Sequence, residues 1–121
     1  MHTIVWGKVR KGSQRGKQLG FPTANIVLHK DVPEGVYVAQ AKVGNKCYDA
    51  VAFIGASQTF NEHQKKVEVH MLYCTKNVYD QWLTVQLLQK IRSNKKFKSV
   101  KELKSAIKKD IHIAQQYFQH S

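Results

Sequence analysis

The order of hydrophobic periods along the chain restricts the fold more than any other feature. From Gly35 onward, apolar residues alternate with polar ones in runs rich in β-branched and aromatic residues, which is typical of strands with one buried face. Near the C-terminus, apolar residues recur at spacings of three and four, which indicates a helix. Because short links without helices separate the strands, the sequence predicts an antiparallel sheet, closed into a small barrel and followed by a helix.

The strand pattern appears in five runs: residues 3–6, 36–43, 47–54, 66–73 and 82–88. A glycine–asparagine pair between the second and third runs predicts a compact hairpin turn. In the last run, Leu83, Val85 and Leu87 share one face, and Ile91 is expected to continue it. The segment around Pro22 is too extended for a helix, and its proline cannot occupy a central ladder position. The chain therefore has five or six strands.

A helix is predicted to begin at Ser99. In a capping box, the Ser99 oxygen accepts a hydrogen bond from the Glu102 amide, and the Glu102 side chain returns the bond. The apolar stripe expected to pack on the barrel is Val100, Leu103, Ile107, Ile111, Ala114 and Phe118. The side chains expected to point mostly to solvent are Lys101, Lys104, Lys108 and Lys109.

Length and charge limit the class of protein. The 121 residues suffice for one domain, 1–121, and not for two independent cores. A formal charge of +12 favours a polyanionic partner, namely nucleic acid, a membrane surface or a phosphorylated small molecule. Cys47 and Cys74 lie in strand-like runs without CxxC spacing, so neither a metal site nor a disulfide framework is expected. The compartment expected for such a chain is a reducing cytoplasm. No apolar run is long enough for a membrane span, and no signal peptide opens the chain.

Two segments contain candidates for phosphate chemistry. Residues 7–20 hold four glycines among basic residues, and such a loop can either cradle phosphates with its amides or simply turn. It matches neither the Walker nor the dinucleotide fingerprint. Thr23 and Asn25 are neutral oxygen ligands two residues apart, which suits Mg²⁺ held partly by substrate phosphates. Read without further context, they are better explained by a turn after Pro22.

Two further segments contain candidates for the acceptor side. Glu68 lies on the strand face opposite the neighbouring valines, where it is either a solvated residue or a proton acceptor in a cleft. His70 on the same face is expected to be a packed or surface residue. The loop 91–98 combines several cations with Phe97, which suits a planar anionic ligand, RNA or plain solvent.

Taken together, these motifs resemble the riboflavin kinase (flavokinase) family over nearly the whole chain. The motifs are LGFPTANI at 19–26, the P-x-GVY run at 33–37, VEVH at 67–70, Val78-Tyr79, Ile91-Arg92, Lys96-Phe97 and the helix from Leu103 to Asp110. The resemblance implies a six-stranded antiparallel Greek-key β-barrel with a C-terminal α-helix. It also implies transfer of the ATP γ-phosphate to the riboflavin 5′-hydroxyl, which gives FMN and ADP.

The resemblance also implies roles for individual residues. Glu68 would be the catalytic base, Thr23 and Asn25 would bind Mg²⁺, and Arg92 and Phe97 would lie in a mobile loop over the flavin. The residues implied to hold ATP are Gly12, Lys17, Gly20, Thr23 and Asn25. The chain is related to the C-terminal module of bifunctional FAD synthetases, so it is expected to stop at FMN. A monomer without membrane or nucleic-acid partners is expected.

Two departures from the family pattern keep alternatives open. Ser57-Gln58 replaces a basic or proline-fixed turn, and Ser93-Asn94 replaces a proline and a carboxylate on the flavin side. One alternative is therefore a family member that binds flavin or nucleotide without turnover. The other, from a different class, is a basic barrel that binds RNA or single-stranded DNA.

Overall fold

Six antiparallel strands and one C-terminal helix form the part of the chain that the computed structural model describes, residues 2–10, 20–56, 65–74 and 76–120. The strands are β1 (Thr3–Lys8), β2 (Ala24–Leu28), β3 (Gly35–Val43), β4 (Lys46–Ala56), β5 (Lys65–Met71) and β6 (Trp82–Arg92), and the helix is α1 (Val100–Gln119). The hairpin between β3 and β4 turns at the predicted glycine–asparagine pair. Within these ranges, no helix is long and apolar enough to cross a bilayer.

The strands follow a Greek-key order, β1-β6-β3-β4-β5-β2, and every pairing is antiparallel. Strands β3, β4 and β5 are consecutive neighbours, and β6 returns to lie beside β3, which defines the motif. The two outer strands also meet, since the Arg10 amide donates to the Asn25 carbonyl at 2.8 Å. A Cβ on Gly7 would lie 3.2 Å from Cβ of Ile26, so the absence of a side chain permits this approach. The nearly closed barrel confirms the predicted fold.

The barrel interior is filled by alternate residues of all six strands, as the period of two requires. Small residues dominate the β3–β4 hairpin, where Ala39 lies opposite Ala50 and Tyr37 lies opposite Ala52. These alanines are fully buried, and they leave room for the larger side chains of the other strands. The largest fully buried interior residues are Val5, Ile26, Ile54, Val67, Val69, Leu83 and Val85.

Helix α1 covers part of the outer face of the sheet and creates a second apolar cluster there. Ala114 is fully buried against Val36, Val38 and Val51, which point outward from β3 and β4. All four predicted solvent-facing lysines are exposed. Val100 does not belong to the buried stripe, because it is the first helical residue and is 58% exposed. The position in the stripe that the pattern did not predict is Asp110, which is 1% exposed.

The predicted interior position of Ile91 is wrong. The pairing of β3 with β6 shifts register twice, between Val36 and Tyr37 and between Val38 and Ala39. Each shift adds an unpaired residue to β6, and each such bulge reverses the face to which the following side chains point. Ile91, which follows the extra residue at Leu88, consequently packs beside Leu88 in the outer cluster with the helix. The bulged strand also continues four residues beyond the predicted end, to Arg92.

Two element ends differ from the sequence pattern. Strand β5 ends at Met71 rather than at residue 73, because Tyr73 takes a left-handed φ of 59° and is 82% exposed. At the helix start, Ser99 Oγ accepts from the Glu102 amide at 3.2 Å, as predicted. The Glu102 carboxylate accepts from the Lys98 amide at 3.1 Å, one residue before the position expected of a capping box.

Candidate functional site

Several predicted site residues share one row across the outer face of the sheet. Asn25 on β2 lies opposite Glu68 on β5, and Glu68 lies opposite Phe53 on β4. The row continues from Phe53 to Val36 on β3 and from Val36 to Arg92 on β6. Directly opposite residues share a face of the sheet. Asn25 is therefore one strand from Glu68, and Arg92 is three strands further, about 14 Å along the sheet at the usual strand spacing.

Asn25 carries a buried oxygen that has no hydrogen-bond partner among the described residues. The residue is only 9% exposed. Its Oδ1 is buried, and the described residues provide no hydrogen-bond partner for it. An unsatisfied buried carbonyl oxygen costs about 1–3 kcal/mol, so such atoms are rare unless a ligand completes them. A neutral amide oxygen is a suitable ligand for a hard cation such as Mg²⁺, and the residues present therefore fit the metal implied by the sequence.

The segment before β2 is attached to β5 by His70. Its Nδ1 lies 2.8 Å from the carbonyl oxygen of Pro22, which requires the proton on Nδ1. The Phe21 ring meets the imidazole edge-on, with 5.9 Å between centroids. Thr23 follows Pro22 and is partly exposed. If the register of β2 and β5 is continued by one residue, Thr23 faces His70. The hydrogen bond from His70 to Pro22 therefore holds the segment that leads into Thr23 and Asn25 against β5.

Glu68 is a half-buried carboxylate with a cationic neighbour. Its Oε1 lies 2.9 Å from Nζ of Lys66, and the two side chains are 23% and 26% exposed. Because residues two apart on a strand point to the same face, both belong to the outer surface. The ammonium group thus pairs with one oxygen of the carboxylate. A half-buried carboxylate one strand from Asn25 is of a type that can accept a proton from a hydroxyl group.

Arg92 is the last residue of β6 rather than part of the following loop. Its Nε donates to Asp110 Oδ1 at 2.9 Å, and its NH2 donates to Oδ2 at 2.8 Å. The guanidinium carbon also lies 5.6 Å from the centre of the Phe97 ring, and Lys95 Nζ lies 5.8 Å from it. The two residues implied to be on the flavin side are therefore in contact with each other. Asn94 holds the intervening loop by donating to the Ile54 carbonyl at 3.0 Å.

The start of β3 is shaped to lie against the end of β6. Gly35 has a φ of 150°, and a Cβ there would lie 2.9 Å from the carbonyl oxygen of Arg92. The Tyr37 hydroxyl donates to the Pro33 carbonyl at 2.7 Å, which fixes the turn before the strand. Burial raises the pKa of Tyr37, and the nearby charge of Lys65 only partly opposes this effect. The P-x-GVY run thus has a structural explanation: it allows the backbone to approach Arg92 closely.

Some predicted residues cannot be placed. Gly12, Lys17, Ser57 and Gln58 lie outside the described residues. Gly20, at the edge of the described part, is exposed and has a φ of 89°, which glycine adopts without strain. In the described ranges, no group of three or more His, Cys, Asp or Glu side chains is arranged to hold a metal ion.

Three contacts of the candidate site residues were not predicted from the sequence. They are Lys66 beside Glu68, the bond from His70 to Pro22, and Asp110 beneath Arg92. The sequence does contain a pattern that predicts the contact of Asp110. Asp110 follows Ile107 by three residues and precedes Ala114 by four, which is the spacing of the apolar stripe. A carboxylate at such a position is buried, and a buried carboxylate requires a cationic partner.

The aromatic residues do not favour the nucleic-acid alternative. Tyr37 and Tyr48 pack with the barrel interior, whereas Phe53 packs with the helix on the outer face. Stacking of successive bases requires aromatic side chains on one exposed face beside basic residues. Tyr73 is exposed, but it lies in the turn after β5. These four residues therefore do not form a stacking platform.

Comparisons of the sequence identify its relatives. The family model described as "Flavokinase: Riboflavin kinase" matches residues 2–118. The trifunctional protein RibF/MnmA of Mycoplasmoides gallisepticum is 41% identical over 115 residues, covering 93% of this chain and 18% of that protein. The bifunctional riboflavin kinase/FMN adenylyltransferase of Haemophilus influenzae is 36% identical over 117 residues, covering 94% of this chain and 38% of that protein. The chain thus spans less than two-fifths of the length of these curated relatives.

Solved structures share the fold. The riboflavin kinase of Trypanosoma brucei superposes with a TM-score of 0.71 at 28% identity and covers 98% of this chain and 82% of its own. A protein named macrolide-efflux protein, from Streptococcus pneumoniae, superposes with a TM-score of 0.84 at 32% identity, over 93% of this chain and 38% of its own. The six-stranded barrel with its C-terminal helix is therefore already known from experimental structures.

Proposed function

We propose, since this chain belongs to the riboflavin kinase family, that it transfers the γ-phosphoryl group of ATP to the 5′-hydroxyl of riboflavin and so produces FMN and ADP. The observation that supports this activity most directly is the outer row, in which Asn25 lies one strand from Glu68 and its Oδ1 has no hydrogen-bond partner among the described residues. A metal ligand next to a proton acceptor is what phosphoryl transfer to a hydroxyl requires.

The nucleotide side of the site is assigned to the segment before and within β2. Asn25 Oδ1, with the Thr23 hydroxyl two residues earlier, would hold Mg²⁺ against the phosphates. When bound, the cation neutralises charge on the phosphate oxygens. The glycine-rich loop supplies amide donors through Gly12 and Gly20, and Lys17 adds a positive charge. His70 keeps the segment in place through the Pro22 carbonyl.

Glu68 is assigned the role of base. Its carboxylate accepts the proton of the riboflavin 5′-hydroxyl as that oxygen bonds to the γ-phosphorus and the bond to the ADP oxygen breaks. Lys66 keeps the carboxylate directed along the outer face during this step. Because the transition state is loose, the protein contributes chiefly alignment and charge neutralisation, and a single positioned carboxylate is sufficient.

The flavin side is assigned to the end of β6 and the loop after it. Arg92 and Phe97 offer a planar cation and an aromatic ring to a planar ligand. Residues 1–121 are proposed to form a single kinase domain that acts as a monomer in the cytoplasm, with neither membrane nor nucleic acid as a partner.

The activity is tested by incubating the protein with riboflavin, ATP and MgCl₂ and separating the flavins by chromatography. We expect FMN and ADP to form in equal amounts, and neither to form without MgCl₂. The variant Lys101→Gln, on the exposed face of α1, serves as a control purified in the same way and should be fully active. ATP-dependent riboflavin binding without FMN would instead support a binding protein, and salt-sensitive oligonucleotide binding without any flavin effect would support the nucleic-acid alternative.

A further inference from the structure

The carboxylate of Asp110 is buried in the apolar face of α1, and the burial of a charged group does not by itself stabilise the fold. It is 1% exposed and lies between Ile107 and Ala114 on the side that packs against the sheet. An apolar residue would suit this position, because exchanging a buried ion pair for packed hydrophobic side chains is often neutral or stabilising. The ion pair with Arg92 is therefore poorly explained as a device for stability.

The geometry of the pair explains it better as a device for orientation. Both oxygens of Asp110 accept from Arg92, one from Nε at 2.9 Å and one from NH2 at 2.8 Å. Two parallel bonds fix the plane of a guanidinium group and its direction, which a single bond does not. The edge of the guanidinium group that carries Nε and NH2 is thereby occupied by Asp110. NH1 donates only weakly, to the Ser93 carbonyl at 3.3 Å, so the opposite edge faces away from the helix.

The fixed guanidinium also supports the loop above it. Phe97 lies over Arg92 with 5.6 Å from the guanidinium carbon to the ring centre. The loop contributes no comparable anchor beyond Asn94 and the helix cap among the contacts of the described residues. Asp110 thus acts on Phe97 through Arg92. The guanidinium group links the carboxylate on the helix to the aromatic ring in the loop.

We propose that Asp110 is a positioning residue for riboflavin: it holds the Arg92 fork and the Phe97 ring in the arrangement that receives the flavin, without touching the substrate. This inference rests on the proposed function, in which Arg92 belongs to the flavin side. Asn25 and Glu68 lie on other strands, separated from Arg92 by Phe53 and Val36 in the row. The effect of Asp110 should therefore be confined to the flavin and spare the nucleotide.

The test compares Asp110→Asn, Arg92→Ala, the double variant and the control Lys109→Gln, which removes a neighbouring exposed charge. Loss of a charge-assisted bidentate pair should raise the KM for riboflavin about 10-fold or more in Asp110→Asn. The KM for ATP should stay within about 2-fold, and the double variant should be no worse than Arg92→Ala, because the two residues act as a unit. Lys109→Gln should match the unmodified protein.

Other results would overturn the inference in distinguishable ways. If Arg92→Ala leaves the KM for riboflavin unchanged, the flavin-side assignment itself fails, and the role of Asp110 fails with it. If Arg92→Ala weakens riboflavin and Asp110→Asn lowers only the melting temperature, Asp110 is merely structural. Should Asp110→Asn not fold, Arg92→Lys replaces it, since lysine keeps the charge and loses the bidentate bond. Unchanged riboflavin affinity in Arg92→Lys would then refute the orientation argument.

Discussion

Replacing Asn25 by leucine should separate stability from nucleotide binding. The Asn25 Oδ1 is buried without a partner among the described residues, which costs about 1–3 kcal/mol in the ligand-free protein. Leucine has the same number of side-chain heavy atoms and removes that cost, although it is larger than asparagine, and overpacking takes back about 1–3 kcal/mol. We therefore expect the stability of Asn25→Leu without ligand to stay within about 2 kcal/mol of the original. That range corresponds to a melting temperature within about 10 °C of the original.

The same variant should lose the stabilisation by nucleotide. A ligand at 100 times its Kd stabilises a folded protein by about 2.7 kcal/mol. For a domain of this size, that is a rise of about 8–14 °C in the melting temperature. If Asn25 binds the cation that bridges the phosphates, the rise produced by ATP with MgCl₂ should shrink to about that produced by ATP with EDTA. Differential scanning fluorimetry of both proteins with each mixture measures this directly.

Asn77→Leu is the matched control, since its side-chain oxygen is satisfied by the Tyr79 amide at 2.9 Å. It should lower the melting temperature slightly and keep the full response to ATP with MgCl₂. The reasoning would be refuted if the magnesium-dependent response of Asn25→Leu stayed intact, whatever its melting temperature. That result would make Asn25 an ordinary packing residue.

Two other predictions concern the base and the β3 entrance. Glu68→Gln should lower kcat by about 10²–10⁴-fold while the ATP-induced thermal shift persists; turnover at the original rate would remove Glu68 from the mechanism. Gly35→Ala should cost about 2–4 kcal/mol, because backbone strain adds to a 2.9 Å contact with the Arg92 carbonyl. Gly44→Ala, also at a positive φ but with open space around it, should cost only about 1–2 kcal/mol in denaturant titrations. Equal losses at the two glycines would contradict the close-contact argument.

Local patterns in the sequence are sufficient to predict the type and order of the elements. Alternation specifies which side of β5 carries Val67 and which carries Glu68, because the strand period is set by covalent geometry alone. The glycine–asparagine turn and the Ser99 cap are equally local, since each depends on a few consecutive residues. For the same reason, the resemblance of short motifs to a family is sufficient to predict the barrel.

What the sequence could not supply depends on pairing between distant strands. The bulge at Leu88, which turns Ile91 outward, exists only in the register between β3 and β6, and no local pattern encodes an unpaired residue. The same holds for the ion pair between Arg92 and Asp110, which are 18 residues apart. Residue types and periods therefore determined the strands, the helix and the candidate side chains, whereas the tertiary structure alone decided which of them meet, because closure of the barrel and docking of the helix set those distances.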